Sequence, residues 1–216
     1  NYRKEYIYNP YERLWHWFQA ISVLILLATG SIVNIPHVYS AFSFVYAVQV
    51  HNIVGFILAT NAVLAVFYNL TSGEIKQYLP NPKGFVTRSV AQAIFYSKGI
   101  FRGQAHPHEK RRDSRLNPIQ QVTYLAILYL LLPTQIITGV LMWGLQRWPE
   151  ITGEIGGLAF LAPIHAIAAW AFAAFIVMHI YLTTTGHTHT AGIKSMITGW
   201  DDVHIEDEPK ESEPKA

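Results

Sequence analysis

Two histidines lie in the last long apolar stretch of the chain. His165 and His179 are separated by fourteen positions, which on an α-helix gives a rise of about 21 Å and a rotation of only about 40° between the side chains. Ionisable side chains are costly inside a bilayer, so their presence there indicates a function. Neutral imidazole can ligate a metal or carry protons. One helix face would present an imidazole near each membrane surface.

The composition predicts that this stretch is one of four membrane spans. Of 216 residues, 51% are hydrophobic and only 14% are charged, which is too apolar for an ordinary soluble domain. Four long stretches contain no Asp, Glu, Lys or Arg, and about 20 such residues are enough to cross a bilayer. We therefore predict an all-α membrane protein, a bundle of four transmembrane helices. Their expected positions are about 10–33, 44–70, 118–143 and 163–185.

Two of these helices carry a recognisable start. Asn9 and Asn117 can each act as an N-cap, and each is followed by a proline, which suits the first helical position. Glu12 and Gln120 stand where the second side chain of a capping box belongs. The third helix also contains Pro133, which predicts a kink. We expect the first apolar helix to be retained rather than removed as a signal peptide.

Basic residues predict the orientation. Nine of the sixteen Lys and Arg residues lie between positions 76 and 115, and the short connection at 35–43 has none. By the positive-inside tendency, the long loop and both termini of this multi-pass protein are predicted to be cytoplasmic. Residues 85–101 predict an amphipathic helix on the membrane surface. Residues 1–200 are expected to form the membrane domain and 201–216 an acidic tail.

With this topology the four membrane histidines fall at two depths. His16 and His179 lie toward the cytoplasmic side, whereas His51 and His165 lie toward the periplasmic side. Each depth thus pairs the fourth helix with one other helix, and two facing imidazoles suit a b-type haem held through its iron. The chain has no cysteine, which excludes cysteine-ligated iron–sulfur clusters and a c-type haem attached through C-x-x-C-H.

Small residues at matching depths support two stacked haems. Gly30 is fourteen positions beyond His16, and Ala65 is fourteen beyond His51. Gly55 lies one turn from His51 on the same face, where a planar ligand could approach the backbone. A single membrane histidine is more often a packing residue or part of a proton path than a ligand. The two matched pairs favour ligation, and the absence of acidic residues within the spans disfavours a mononuclear metal site.

The chain resembles the di-haem cytochrome b subunits of membrane-bound respiratory oxidoreductases, namely those of nickel–iron hydrogenase, formate dehydrogenase (gamma subunit) and thiosulfate reductase. The resemblance implies the same pairing, His16 with His179 and His51 with His165. The Asn-Pro helix starts, the Gly-Ile-Phe-Arg-Gly loop and the His-Pro-His stretch look most like the thiosulfate-reductase branch. The matching residues are RLWHW at 13–17, HNIVG at 51–55, His165, His179, TTGHT at 184–188 and MITGW at 196–200.

The resemblance implies a membrane electron-transfer subunit in a bacterial inner (cytoplasmic) membrane. Its two b-type haems would pass electrons between a periplasmic or membrane-associated redox subunit, carrying iron–sulfur clusters or c haems, and a quinone near the cytoplasmic face, menaquinone or ubiquinone. The chain has no flavin or cluster motif, so we expect no catalysis on a polar substrate by this chain alone. Arg13 is a candidate partner for a haem propionate, as are Lys194 and Arg147. The candidate quinone contacts are Glu12, Asn69, Gln120, Gln121, Thr183, His187 and His189.

Two other classes of function remain open at this point. One is a stand-alone membrane reductase that carries electrons from a donor such as ascorbate to ferric iron, although such proteins usually have six helices. The other is a haem-free membrane anchor or proton-coupled transporter that uses the histidines to titrate. We expect membrane lipid as a surrounding partner in each case, and no nucleic acid.

Overall fold

The computed structural model describes residues 2–104, 107–108, 115–145, 147–186 and 188–204. Over these residues the chain is mainly helical, with a short two-stranded sheet that joins its ends. The strands are β1 (Tyr2–Tyr6) and β2 (Trp200–His204). The helices in chain order are α1 (Pro10–Asn34), α2 (Phe44–Ser72), α3 (Phe85–Ile94), α4 (Pro118–Ala126), α5 (Leu132–Gly144), α6 (Pro149–Glu154), α7 (Gly157–Thr183) and α8 (Ala191–Thr198).

Four helical segments are long and apolar enough to cross a membrane, which confirms the predicted bundle. They are α1, α2, the continuous segment that contains α4 and α5, and α7. Little of each span is buried inside the protein, from 11% to 17% of its most apolar window, so the outward faces are available to lipid. The last span begins at Gly157, upstream of the expected start at 163, and therefore contains Pro163 within the helix.

The two predicted helix starts are confirmed. Asn9 caps α1, accepting from the Glu12 N–H at 2.8 Å, and Glu12 accepts from the Asn9 N–H at 3.0 Å. Asn117 and Gln120 make the same reciprocal pair at α4, at 3.0 and 3.1 Å. Both boxes satisfy N–H groups that the first turn of a helix leaves without partners.

The third span is interrupted where the sequence predicts a kink. A π-helical turn, Ile127–Leu131, separates α4 from α5, and Pro133 follows at the start of α5. Proline has no N–H to donate, and its ring crowds the preceding turn. The wider π-helical turn is a recognised way to accommodate such a residue within a span.

The connection between the second and third spans contains the predicted amphipathic helix. Helix α3 is followed by a π-helical turn, Phe95–Gly99, and a 3-10 turn, Ile100–Arg102. Tyr96 ties this segment to the third span, since its hydroxyl accepts from the Asn117 side chain at 2.7 Å.

The strands bring the two ends of the described chain together. They pair antiparallel, with Tyr2 opposite His204 and Tyr6 opposite Trp200. Gly199, at a φ of 87°, turns the chain from α8 into β2, and its carbonyl accepts from the Ile7 N–H at 2.8 Å. Residues 201–204, predicted from the sequence to belong to the acidic tail, form part of β2. The remainder of that tail, 205–216, lies outside the described residues.

An ion-pair network links three segments on the side of the bundle that carries both chain ends. The Arg115 guanidinium donates to Glu12 at the start of α1 and to Glu74 after α2, the latter at 3.2 Å. The side chains of Arg115, Glu12 and Glu74 are only 9%, 19% and 28% exposed. The network therefore holds the beginning of α4 against the first two spans.

We expect Arg115→Ala to lower the free energy of unfolding by about 2–3 kcal/mol, because it leaves two largely buried carboxylates without their cation. The check is thermal or denaturant unfolding of the purified protein in detergent. The matched control is Arg3→Ala, which removes an ion pair to Glu5 from an arginine that is 66% exposed. That change should cost no more than about 1 kcal/mol. Equal losses for the two variants would contradict this role of Arg115.

Candidate functional site

The structure brings the four membrane histidines together as two pairs. One pair, here called the turn-side pair, consists of His51 on α2 and His165 on α7, with ring centroids 6.1 Å apart. The terminus-side pair, on the side of the chain ends, consists of His16 on α1 and His179 on α7, also 6.1 Å apart. Metal–imidazole bonds are about 2 Å long. One metal atom between two facing rings therefore needs a centroid separation of about 6 Å once the nitrogen offsets are added.

An apolar layer separates the two pairs. Leu58 on α2, Ala62 on α2, Leu132 on α5 and Phe172 on α7 form the buried core of the bundle. Phe172 is 7% exposed and lies midway along α7 between the two histidines of that helix. Because α7 is continuous from Gly157 to Thr183, the core fixes both its rotation and the vertical spacing of the pairs.

The surroundings of the turn-side pair include two threonines that the sequence analysis missed. The Thr29 hydroxyl lies 2.9 Å from Nδ1 of His51, and the Thr138 hydroxyl lies 2.8 Å from Nδ1 of His165. Hydrogen bonds at Nδ1 leave Nε2 of each ring to face a ligand. The only sequence signal is that each threonine precedes a glycine, a weak pattern within an apolar span.

The terminus-side pair has different neighbours. The His179 ring stacks on Phe175 with centroids 5.4 Å apart, and the His16 ring meets the edge of Trp17 at 5.2 Å. Nδ1 of His16 is buried and has no hydrogen-bond partner among the described residues. The two pairs therefore share the same ring separation and differ in polar contacts.

Two glycines pack closely against the turn-side rings, Gly30, which the sequence indicated, and Gly139, whereas Gly55 makes only an ordinary contact. A Cβ on Gly30 would meet Cε1 of His51 at 3.1 Å, so this glycine makes room for the ring. A Cβ on Gly139 would meet Cε1 of His165 at 3.3 Å. A Cβ on Gly55 would touch Leu26 at 3.9 Å, and Ala65 is 3% exposed.

The donor set fits a b-type haem. Over the described part of the chain, no group of three or more His, Cys, Asp or Glu side chains converges on a common point. Each pair thus offers two nitrogen ligands and no more, which is too few to complete the shell of a bare metal ion. A haem supplies the four in-plane nitrogens itself and takes its axial ligands from the protein.

The candidate quinone contacts do not converge on one site. Glu12 and Gln120 serve in capping boxes, and the Gln121 amide donates to the Gln77 carbonyl at 3.0 Å. Thr183 donates to the Ile180 carbonyl at 2.7 Å, and Nδ1 of exposed His189 lies 3.0 Å from the Thr184 carbonyl. His187 lies outside the described residues.

Asn69 is the candidate that lines a cavity. It shares this cavity of about 30 Å³ with Ala65, Tyr78 and Trp15, the residue before His16. The Asn69 amide nitrogen donates to the Ala65 carbonyl at 2.9 Å. The Trp15 indole Nε1 is buried with no hydrogen-bond partner in the part of the chain that the structure describes. Burial and then the charge of Glu12 raise the pKa of Tyr78 to about 12, so its phenol remains a hydrogen-bond donor at physiological pH.

Two of the three basic candidates already have partners, Arg13 and Arg147. The Arg13 guanidinium donates through Nη1 to the Ile197 carbonyl, which ties α1 to α8, while its buried Nε has no partner among the described residues. Arg147 lies over the Trp143 ring, 3.7 Å from the centroid, a cation–π contact. Lys194 lies in α8.

Comparison with known proteins identifies the family. Residues 7–199 match the family model described as prokaryotic cytochrome b561. The chain is 34% identical over 199 residues to a putative cytochrome, YdhU, of Escherichia coli, covering 91% of this chain and 74% of that relative. No solved structure gives a significant match.

Two further relatives are named as subunits of oxidoreductases. A probable Ni/Fe-hydrogenase B-type cytochrome subunit of Cupriavidus necator is 22% identical over 194 residues, covering 82% of this chain and 77% of the relative. A putative protein-methionine-sulfoxide reductase subunit, YedZ1, of Azospira oryzae is 22% identical over 190 residues, covering 81% and 88%. These matches confirm the resemblance drawn from the sequence. The chain belongs to the prokaryotic cytochrome b561 family and is a membrane electron-transfer subunit of oxidoreductases that carries b-type haem.

Proposed function

We propose that this chain holds two b-type haems, one between each pair of histidines, and passes electrons between a redox partner subunit and the membrane quinone pool. The observation that carries the proposal is the matched 6.1 Å separation of the two pairs, both of which draw one histidine from α7. Each haem, when bound, supplies an iron that gains and loses one electron. The protein supplies the ligands, their spacing and an apolar surround.

Each side of the membrane has its own haem ligands in this proposal. His51 and His165 hold the haem on the turn side, where the positive-inside tendency favours a periplasmic location and a redox partner. His16 and His179 hold the other on the predicted cytoplasmic side. The partner subunit is expected to carry iron–sulfur clusters or c haems, because this chain has no cysteine with which to bind them.

Quinone exchange is assigned to the terminus side. The cavity lined by Trp15, Asn69 and Tyr78 lies beside the His16 end of α1 and measures about 30 Å³, so a quinone ring would have to widen it to enter. The groups that would meet the ring are the Trp15 indole N–H, the Tyr78 phenol, which stays protonated, and the second N–H of the Asn69 amide, whose nitrogen also donates to the Ala65 carbonyl at 2.9 Å. Hydrogen-bond donors of this kind can hold a quinone carbonyl and deliver protons to it. Glu12 and Arg115 lie next to Tyr78 and provide a charged route toward the predicted cytoplasmic surface.

The alternatives receive less support. A haem-free anchor or transporter does not fit a family of b-type cytochromes. A stand-alone ferric reductase fits less well than a subunit, since the relatives from Cupriavidus necator and Azospira oryzae are named as subunits.

Loss of one ligand should remove one haem. We expect His165→Ala and His16→Ala each to reduce the b-haem band of the reduced-minus-oxidised spectrum, per protein, by about half, and the double variant to abolish it, because each change leaves a single axial nitrogen in its pair. Haem extraction and visible spectroscopy of the purified chain make the measurement. The control is His37→Ala, an exposed histidine outside the spans, which should keep the full band.

A wild-type chain that binds no haem, or one haem per chain that survives His165→Ala, would contradict the proposal. So would equal haem loss in His37→Ala.

The cavity assignment has its own test. We expect Asn69→Leu to slow reduction of the haem by a short-chain quinol by about tenfold or more, because one lost hydrogen bond in a buried polar site costs about 1–3 kcal/mol. Stopped-flow spectroscopy with quinol as donor measures the rate, while dithionite reduction should proceed as before. The same substitution at Asn61, which pairs with Gln19 at 2.9 Å outside the cavity, is the control. Equal slowing in both variants would place the quinone elsewhere.

A further inference from the structure

On α1, a threonine and the glycine after it both contact the turn-side ring of His51. The Thr29 hydroxyl lies 2.9 Å from Nδ1, and the Gly30 backbone leaves space that a Cβ would take, 3.1 Å from Cε1. The hydroxyl oxygen also lies 2.8 Å from the Ile25 carbonyl one turn earlier.

Helix α5 repeats the arrangement at His165. The Thr138 hydroxyl lies 2.8 Å from Nδ1 of that ring and 2.6 Å from the Thr134 carbonyl. A Cβ on Gly139 would lie 3.3 Å from Cε1. We call these two dipeptides, 29–30 and 138–139, the Thr-Gly pairs.

The double contact of each threonine fixes the tautomer of its histidine. A hydroxyl has one hydrogen and two acceptor lone pairs. In a helix that hydrogen is donated to the carbonyl one turn back, so toward the imidazole the oxygen can only accept. Nδ1 of each turn-side histidine therefore carries the proton, and the lone pair is on Nε2.

A third contact agrees with this assignment at His165. The Gln135 amide nitrogen lies 3.2 Å from Nε2 of the ring, and an amide nitrogen can only donate. A donating amide agrees with a lone pair on Nε2, and the same amide lies in the direction that a metal would take, with its own oxygen buried and without a partner among the described residues.

The terminus-side pair lacks this support at His16. Its Nδ1 has no partner within the described residues, and its ring neighbour is the aromatic Trp17. A ligand histidine that donates its other N–H to an acceptor becomes a more basic ligand. A more basic ligand stabilises the more positively charged, ferric state of the iron.

We propose that the Thr-Gly pairs are positioning residues, which set the tautomer and ring orientation of both turn-side ligands and lower the midpoint potential of the turn-side haem. This inference rests on the proposed function. In each pair the threonine supplies the hydrogen-bond acceptor and the glycine supplies space for the ring. Helix α1 does this for His51, and helix α5 does it for His165.

The test is redox titration of the purified chain, followed in the visible spectrum. The turn-side haem is identified as the component lost in His165→Ala. Thr29→Val and Thr138→Val remove the hydroxyl acceptor while keeping the side-chain shape, and leave the Leu26 and Gln135 backbone beside the rings. Each should shift the midpoint potential of the turn-side haem upward and leave the other unchanged. Thr29→Ser and Thr138→Ser retain a hydroxyl and should titrate like the wild type. Thr60→Val is the control, because its hydroxyl bonds to the Phe56 carbonyl away from the pair.

The glycines test the steric half of the proposal. Gly30→Ala and Gly139→Ala should reduce the occupancy of the turn-side haem selectively, because each new methyl group pushes a ligand ring out of place. Gly153→Ala is the matched control, since nothing lies within 4 Å of a Cβ built at that position. Its haem content should equal that of the wild type.

The outcomes separate the two proposals. Unchanged potentials in both valine variants, or equal shifts of both haems, would overturn the role of the Thr-Gly pairs and leave the proposed function intact. Loss of the turn-side haem in a valine variant but not in its serine counterpart supports the role, whereas loss in both overturns it. A wild-type chain without a b-haem spectrum would overturn the proposed function itself.

Discussion

The cost of placing an imidazole in hydrocarbon governs this structure. A histidine within a membrane span has no water to bond, so its ring nitrogens need partners within the bundle. His51 and His165 meet the Thr29 and Thr138 hydroxyls, whereas Nδ1 of His16 has no partner among the described residues. Helix α7 carries two of the four histidines. The ring that faces His179 comes from α1, and the ring that faces His165 comes from α2. The spans pack most closely as α1 with α2 and α5 with α7. The facing rings therefore join two helix pairs, and the third span contributes Thr138 and Gln135 to the surroundings of His165.

The apolar core acts as the spacer between the two levels. Its side chains come from α2, α5 and α7 and are tightly buried, whereas the outer faces of the same helices remain apolar and exposed. Such a core resists rotation of α7, because any turn of the helix would separate both histidine pairs at once. The two sites are thus coupled mechanically, and their separation is set by one continuous helix.

The two sides of the bundle differ in chemistry. The terminus side holds the Arg115 network, the strand pair and the cavity lined by Trp15 and Tyr78, so charge and hydrogen-bond donors are concentrated there. The turn side offers hydroxyl acceptors to its histidines from within the spans. Under the proposed function, a quinone would need protons as well as electrons, and the terminus side carries the groups that could deliver them.

Much of the architecture follows from local chemistry in the sequence. Charge-free stretches predicted four spans, Asn-Pro starts predicted the two capping boxes, and helical periodicity predicted the two depths at which the histidines lie. These features depend on residues within a few turns of one another, so one sequence is enough to determine them.

Contacts between distant residues were decided by the tertiary structure alone. Nothing local indicates that Thr29 faces His51, that Arg115 reaches Glu12, or that Tyr2–Tyr6 pairs with Trp200–His204. Several polar residues proposed as quinone contacts proved to be engaged in caps and loop anchors. The sequence gives the type of each polar side chain. The partner of that side chain depends on how the helices are rotated against one another, and that rotation is determined only when all four spans pack together.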